Sequence, residues 1–116
     1  MNMKSLFSLF LLLTLTTLGL STPLSGTYTI NSSLPNGGTN FSSFNATEDS
    51  LTLNGISSSL TFIVKHGTYL EQVNFGSITG ASSVNTITFK ADTSNTSPAR
   101  IKFNTAISAN HYVIQF

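Results

Sequence analysis

An all-β chain wound as a parallel β-helix is the fold this sequence predicts, on three observations. Val, Ile and Phe dominate the apolar positions and Thr, Ser and Asn the polar ones, with nine Phe and no Trp. That is the chemistry of strands. Apolar triplets then recur along the second half: Leu60, Phe62 and Val64 align with Ile87, Phe89 and Ala91, and again with Tyr112, Ile114 and Phe116. The steps are about 27 and 25 residues, within the range of solenoid repeats. Finally, apart from Asn54-Gly55, the connections between strand segments hold no hairpin dipeptide of the kind that joins antiparallel neighbours.

The first 21 residues stand apart from the fold. "MNMKSLFSLFLLLTLTTLGLS" carries Lys4 as its one charge, an apolar run over 6–20, small residues at Gly19 and Ser21, and Pro23 just beyond. This is the three-part layout of a secretory signal peptide. A membrane anchor is the competing reading, but a run of roughly 15 residues falls short of the ~20 that a span requires. No Cys follows the run, so it offers no lipid-anchoring position.

Residues 22–59 read as an N-terminal strand, a turn segment and a capping helix. "GTYTI" (26–30) alternates, placing Tyr28 and Ile30 on one face. "NSSLPNGGTN" (31–40) is turn material throughout. In "FSSFNATEDSLTLNGI" the period changes: Phe41, Phe44, Glu48 and Leu51 step by three and four, with Ser42 as the expected cap. Asn54-Gly55 either ends this helix in a left-handed conformation or turns a hairpin between "LTL" and "ISSSLTFIV".

Residues 60–116 read as β-helix rungs, incomplete at the C-terminal side. The strands are "LTFIV" (60–64), "EQVNF" (71–75), "TITFKA" (86–91), "ARIKFN" (99–104) and "HYVIQF" (111–116). A second series runs between the first: Val73 and Phe75 match Ile101 and Phe103, about 28 residues on. Two interleaved series of similar period suggest one coil turned repeatedly, with Phe, Ile and Val inward and Thr61, Thr86, Thr88 and Lys90 outward. An Ig-like sandwich is the alternative, since its short strands and turn clusters recur at comparable spacing. "HYVIQF" ends in mid-strand without a polar cap, and solenoids need terminal caps. The expectation is therefore a piece of a longer protein.

Charge narrows the partners. Without residues 1–21, four basic and four acidic residues are left. A near-neutral chain has no basic stripe for a phosphate backbone, which argues against nucleic acid. A chain with no Cys is held by packing and backbone pairing alone.

The succession "GTYTINSSLPNGGTNFSSF", an amphipathic segment, "LTFIVKHGTYLEQV" and "ITGASSVNTITFKA" resembles the start of secreted right-handed parallel β-helix proteins. These form the pectate-lyase-like superfamily and are common in the Bacteroidota. The resemblance covers nearly all of the chain beyond residue 21. It implies a short helix capping the first rung, a corner formed by Gly67, Thr68, Tyr69 and Glu71, and export to the medium or the bacterial cell surface. The same cap introduces lyases, hydrolases and adhesin-like surface proteins. The Gly67-Thr68-Tyr69-x-Glu71 pattern is also similar to the first rung of pectin methylesterases, whose catalytic aspartates lie on later rungs without a counterpart here.

No residue stands out as catalytic. Carbohydrate-active β-helices cluster carboxylates to hold calcium or to act as an acid/base pair, and only Glu48, Asp49, Glu71 and Asp92 are available. Glu48 and Asp49 diverge on a helix and suit a solvated face. Asp92 opens a Ser/Thr/Asn loop and suits a turn. Glu71 has inward parity with Val73 and is expected to accept backbone N–H groups at the corner, because an inward carboxylate without partners is costly. Lys65, Lys90, Arg100 and Lys102 read as surface charge, and His66 and His111 lack a third metal ligand. Asn31, Asn40, Asn45 and Asn95 each begin an N-x-Ser/Thr triplet.

The site residues are thus structural: Gly67, Tyr69 and Glu71 at the corner, and Leu60, Phe62, Val64, Ile87, Phe89, Tyr112, Ile114 and Phe116 in the ladder. No catalytic residue, metal or cofactor is expected. The function expected is that of an adhesin or glycan-binding scaffold. Its partners would be a glycan or cell-surface polysaccharide and the remaining rungs of the same chain, with no membrane contact after leader cleavage. The alternative is the N-terminal fragment of a polysaccharide lyase or pectinesterase-like enzyme with its active site downstream.

Overall fold

The computed structural model describes residues 19–103 and 113–116. Most of the leader, together with His111 and Tyr112, lies outside the described residues. The described elements are eight strands and one helix: β1 (Leu24–Ile30), β2 (Asn40–Phe41), α1 (Phe44–Asn54), β3 (Ile56–Val64), β4 (Gly67–Leu70), β5 (Val73–Asn74), β6 (Ile87–Ala91), β7 (Ala99–Lys102) and β8 (Ile114–Gln115). Among the described residues the chain is sheet-rich, with one short helix, and the strand content is what the composition predicts.

Every strand pairing among the described residues is parallel. One sheet has the order β2-β1-β3-β6, while β4 pairs with β7 and β5 with β8. The only antiparallel contact described is the isolated bridge Gly37–Asn40. A sandwich of hairpin-joined neighbours is therefore not what forms. Parallel pairs need crossover connections rather than tight turns, which accords with the missing hairpin dipeptides.

The long sheet follows the predicted ladder. Leu60 lies opposite Ile87, Phe62 opposite Phe89 and Val64 opposite Ala91, with Gly26, Tyr28 and Ile30 in the same rows on β1. Alternation decides which face is buried: Leu60, Phe62 and Val64 are buried, while Thr88 and Lys90 on β6 are exposed. Phe62 stacks on Phe89 at 5.1 Å and lies 5.8 Å from Tyr28. Offset aromatic pairs of this kind add ~1 kcal/mol beyond their buried area.

The ladder ends there, and its third tier needs correction. Ile114 lies opposite Val73 on the β5–β8 pair and not above Ile87 or Phe89. Phe116 is largely exposed and stacks on Phe75 at 5.5 Å. The second series changes too, since Ile101 pairs with Tyr69 rather than with Val73, and Phe103 is exposed. Among the described residues, three sheets take up the strands that the two apolar series run through. The separation between partners widens from β3–β6 to β4–β7 to β5–β8, so the connectors differ in length while each register holds.

The helix starts one residue later than predicted. Ser43 is its cap, and its hydroxyl accepts from the Ala46 N–H at 3.0 Å, whereas Ser42 lies outside. Phe41 leaves the helical stripe for β2, where it packs against Tyr28 and Phe62. The buried stripe is Phe44, Thr47 and Leu51. Thr47 is a poor helix former yet fully buried, and it donates its hydroxyl to the Ser43 carbonyl at 2.9 Å, so no polar atom is stranded. Asn54-Gly55 ends the helix and makes no hairpin: the Gly55 N–H donates to the Leu51 carbonyl and the chain enters β3 directly. Gly80 passes so close to this junction that a Cβ there would overlap the Ile56 carbonyl oxygen.

Candidate functional site

The polar stretch from Lys65 to Val73 links β3, β4 and β5. Gly67 opens β4 at φ 142, a conformation that L side chains seldom adopt. Tyr69 is a core residue, 3% exposed, with its ring edge-on to Phe44 at 5.2 Å. Its hydroxyl proton is shared between the Ile30 and Lys65 carbonyls at 2.9 and 3.0 Å. Burial raises the phenol above its ordinary range and the Glu71 charge adds to this, against hydrogen bonds from Ser32 that oppose it.

Glu71 is half-buried and reaches away from its own corner. Its two carboxylate oxygens accept from the Phe44 and Asn45 N–H groups and from Asn45 Nδ2, each at 2.9 Å. The backbone donors are thus those of the first turn of α1, which no intrahelical carbonyl can reach. The positive end of the helix dipole favours a carboxylate in that place. The helix has no acidic residue of its own in that turn, and Glu71 supplies the charge from 27 positions downstream.

Lys65 and Asp92 join successive strands. Lys65 Nζ lies 2.8 Å from Asp92 Oδ2, and the Asp92 N–H donates to the Val64 carbonyl. Asp92 also accepts from the N–H and hydroxyl of Ser94. The hydrogen bond from Lys65, helped by those from Ser94, holds its carboxyl well below the usual carboxylate range. Asp92 does hold a turn, as its loop position predicts, and the ion pair is an addition that the sequence did not reveal. Beside it, Asn95 Nδ2 lies 3.1 Å from His66 Nδ1. Glu48 accepts from the Thr52 hydroxyl within α1. Three of the four carboxylates are therefore engaged in holding backbone or side chains, and Asp49 is exposed on the helix. Among the described residues no three His, Cys, Asp or Glu converge as a metal site. Lys90, Arg100 and Lys102 are exposed on β6 and β7.

Two hollows lie at opposite edges of the long sheet. One is apolar, about 220 Å³, and lined by Phe89, Ile101, Ile114 and Phe116, beside β6, β7 and β8, the outer strands of the three described sheets. The other, about 390 Å³, opens where β1, β2 and the end of α1 meet, and is lined by Tyr28, Phe41, Asn40, Asn54 and Gly37-Gly38. The sequence places Phe89, Ile114 and Phe116 in the core ladder and Ile101 in the second series, and assigns none of the residues around the other hollow to a site. Its one signal was the glycine pair beside Asn40-Phe41, which was absorbed into the turn segment. Comparison with protein-family models, with characterised proteins and with solved structures yields no match.

Proposed function

We propose that this chain forms the N-terminal cap and first turns of an exported right-handed parallel β-helix that serves as a cell-surface adhesin or glycan-binding scaffold. The observation that carries this reading is the order of pairing. The chain runs β3, β4, β5 and then β6, β7, β8, and each of the second three lies parallel beside its counterpart in the first three. Right-handedness follows the general rule for parallel crossovers, which holds in about 98% of cases. The helix, with Phe44 against Tyr69 and Phe89, acts as the cap.

The apolar hollow beside β6, β7 and β8 is where a further turn stacks, so the partners are more rungs of the same chain and a glycan. This reading assigns no chemistry to the stretch, in keeping with two of its carboxylates serving the fold: Glu71 holds the helix and Asp92 holds Lys65 and Ser94. The leader directs the chain to the medium or the cell surface.

The test is to express the gene product with its leader in a bacterial host. Retention on immobilised neutral and acidic polysaccharides is then measured, together with release of reducing ends or unsaturated sugars. Retention without release is expected. Release that falls a thousand-fold in Glu71→Gln would overturn the scaffold reading in favour of the lyase or esterase class.

A further inference from the structure

Asn-Gly pairs carry a reactivity of their own, and we infer that Asn36-Gly37 is a self-modification site at which the asparagine converts to aspartate and isoaspartate. In such a step the Gly37 nitrogen gives its proton to solvent hydroxide, bonds to Asn36 Cγ and closes a succinimide ring. Nδ2 takes a proton from water and leaves as ammonia. Water then opens either ring carbonyl. An ammonia is lost and a water gained, with no oxidant or cofactor.

The sequence holds this pair and Asn54-Gly55, and the fold sets them apart. Asn36 and Gly37 are exposed. Gly37 has no side chain to shield its nitrogen, and even a Cβ there would meet only open space. Asn36 Oδ1 accepts from the Ser42 N–H at 2.7 Å. That donor faces the oxygen on which negative charge gathers as Gly37 adds, which is how an oxyanion hole acts. Nδ2, the leaving group, makes no hydrogen bond among the described residues. The Gly37 N–H does donate to the Asn40 carbonyl at 3.0 Å. This contact is an isolated bridge in an exposed turn, and such a bridge frays readily. None of these bonds involves the leader. Leu20 and Ser21 border Gly37, and their cleavage uncovers it further.

Asn54 is held in the opposite way. Its Nδ2 donates to the Ser50 carbonyl and hydroxyl at 2.9 and 3.2 Å, which ties down the leaving group. Gly55 is buried, and its N–H donates to the Leu51 carbonyl at 2.8 Å. Conversion there must wait for the end of α1 to open.

The two products differ in what they do to the fold. Isoaspartate carries the main chain through Cγ and adds a backbone atom before Gly37. The paired bonds between Gly37 and Asn40 then lose their register, the Ser42 N–H loses its acceptor, and β2 loosens at the edge of its sheet. Aspartate keeps the acceptor and adds charge to it.

The purified exported chain is held at mildly alkaline pH, both folded and in urea. Digestion and mass spectrometry follow the exchange of amide NH₂ for OH at each site, and chromatography separates the two products. Folded protein should convert at Asn36 at least about tenfold faster than at Asn54, while in urea the two rates converge. The isolated isoaspartate form should melt below the parent, and Asn36→Asp at or above it. Equal rates at the two sites in folded protein would overturn the inference, as would an Asn36 that is inert when folded yet converts in urea. An isoaspartate form that melts with the parent would overturn the loosening of β2.

Discussion

Glu71 and Tyr69 show how single side chains fasten distant parts of the chain. Removing the carboxylate in Glu71→Ala leaves two first-turn N–H groups without their acceptors, and the expected loss is about 2 kcal/mol in urea unfolding. Glu71→Gln keeps an acceptor oxygen but not the charge, and about half that loss is expected. The two titratable groups with shifted ranges act at opposite ends of the pH scale. Tyr69 has a raised folded value, so its contribution is complete below the ordinary phenol range near 10 and is lost as pH climbs through the raised one. Tyr69→Phe should flatten the alkaline limb of the melting curve. Asp92 has a depressed value, so its contribution is present above the ordinary carboxylate range and is lost as pH falls through the depressed one. Asp92→Asn should therefore lower the melting temperature at pH 7 and bring it close to that of the parent in strong acid. A mutant curve parallel to the parent's throughout would show that the Lys65 pair is not coupled to folding.

Elements were legible in the sequence to the extent that they are long. The five residues from Leu60 to Val64 set a parity that only one register satisfies, and the Leu60–Ile87 and Phe62–Phe89 pairs follow from it. β8 is described over two residues, too few to fix parity. Apolar type aligns Ile114 with Phe89, whereas its partner is Val73. Ile101 aligns with Val73 by apolar type but pairs with Tyr69, because the stretch Gly67–Leu70, assigned to a corner, forms the strand β4. The helix was visible through Phe44 and Leu51. Its boundary was not, since Ser42 and Ser43 are equally good caps by type and only the Ser43 hydroxyl faces the Ala46 N–H. The acceptor that completes the first turn lies 27 positions away, and no local pattern announces it. Ser43→Ala should cost about 1 kcal/mol. Gly80→Ala, with its Cβ driven into the Ile56 carbonyl, should cost more, and circular dichroism melts of the two will rank them.

At the scale of the molecule, the core runs through the sheets as a line of rings. Phe62 is fully buried between Tyr28 and Phe89, and Phe89 in turn meets Phe44 and Phe75. Phe62→Asp places a charge where no partner exists and should abolish folding. A soluble mutant with a cooperative melt would mean that this line is not the organising core. The unequal connectors have a different consequence. Partner strands keep register although the chain between them differs in length, and the loop over 93–98 is held by local turns at Asp92 and Asn95. Lengthening a flexible loop costs only ~0.6 kcal/mol per doubling. Foreign peptides grafted there should be displayed on the outside without disturbing the stack beneath, so kindred chains can diverge in what they show their surroundings while sharing one frame.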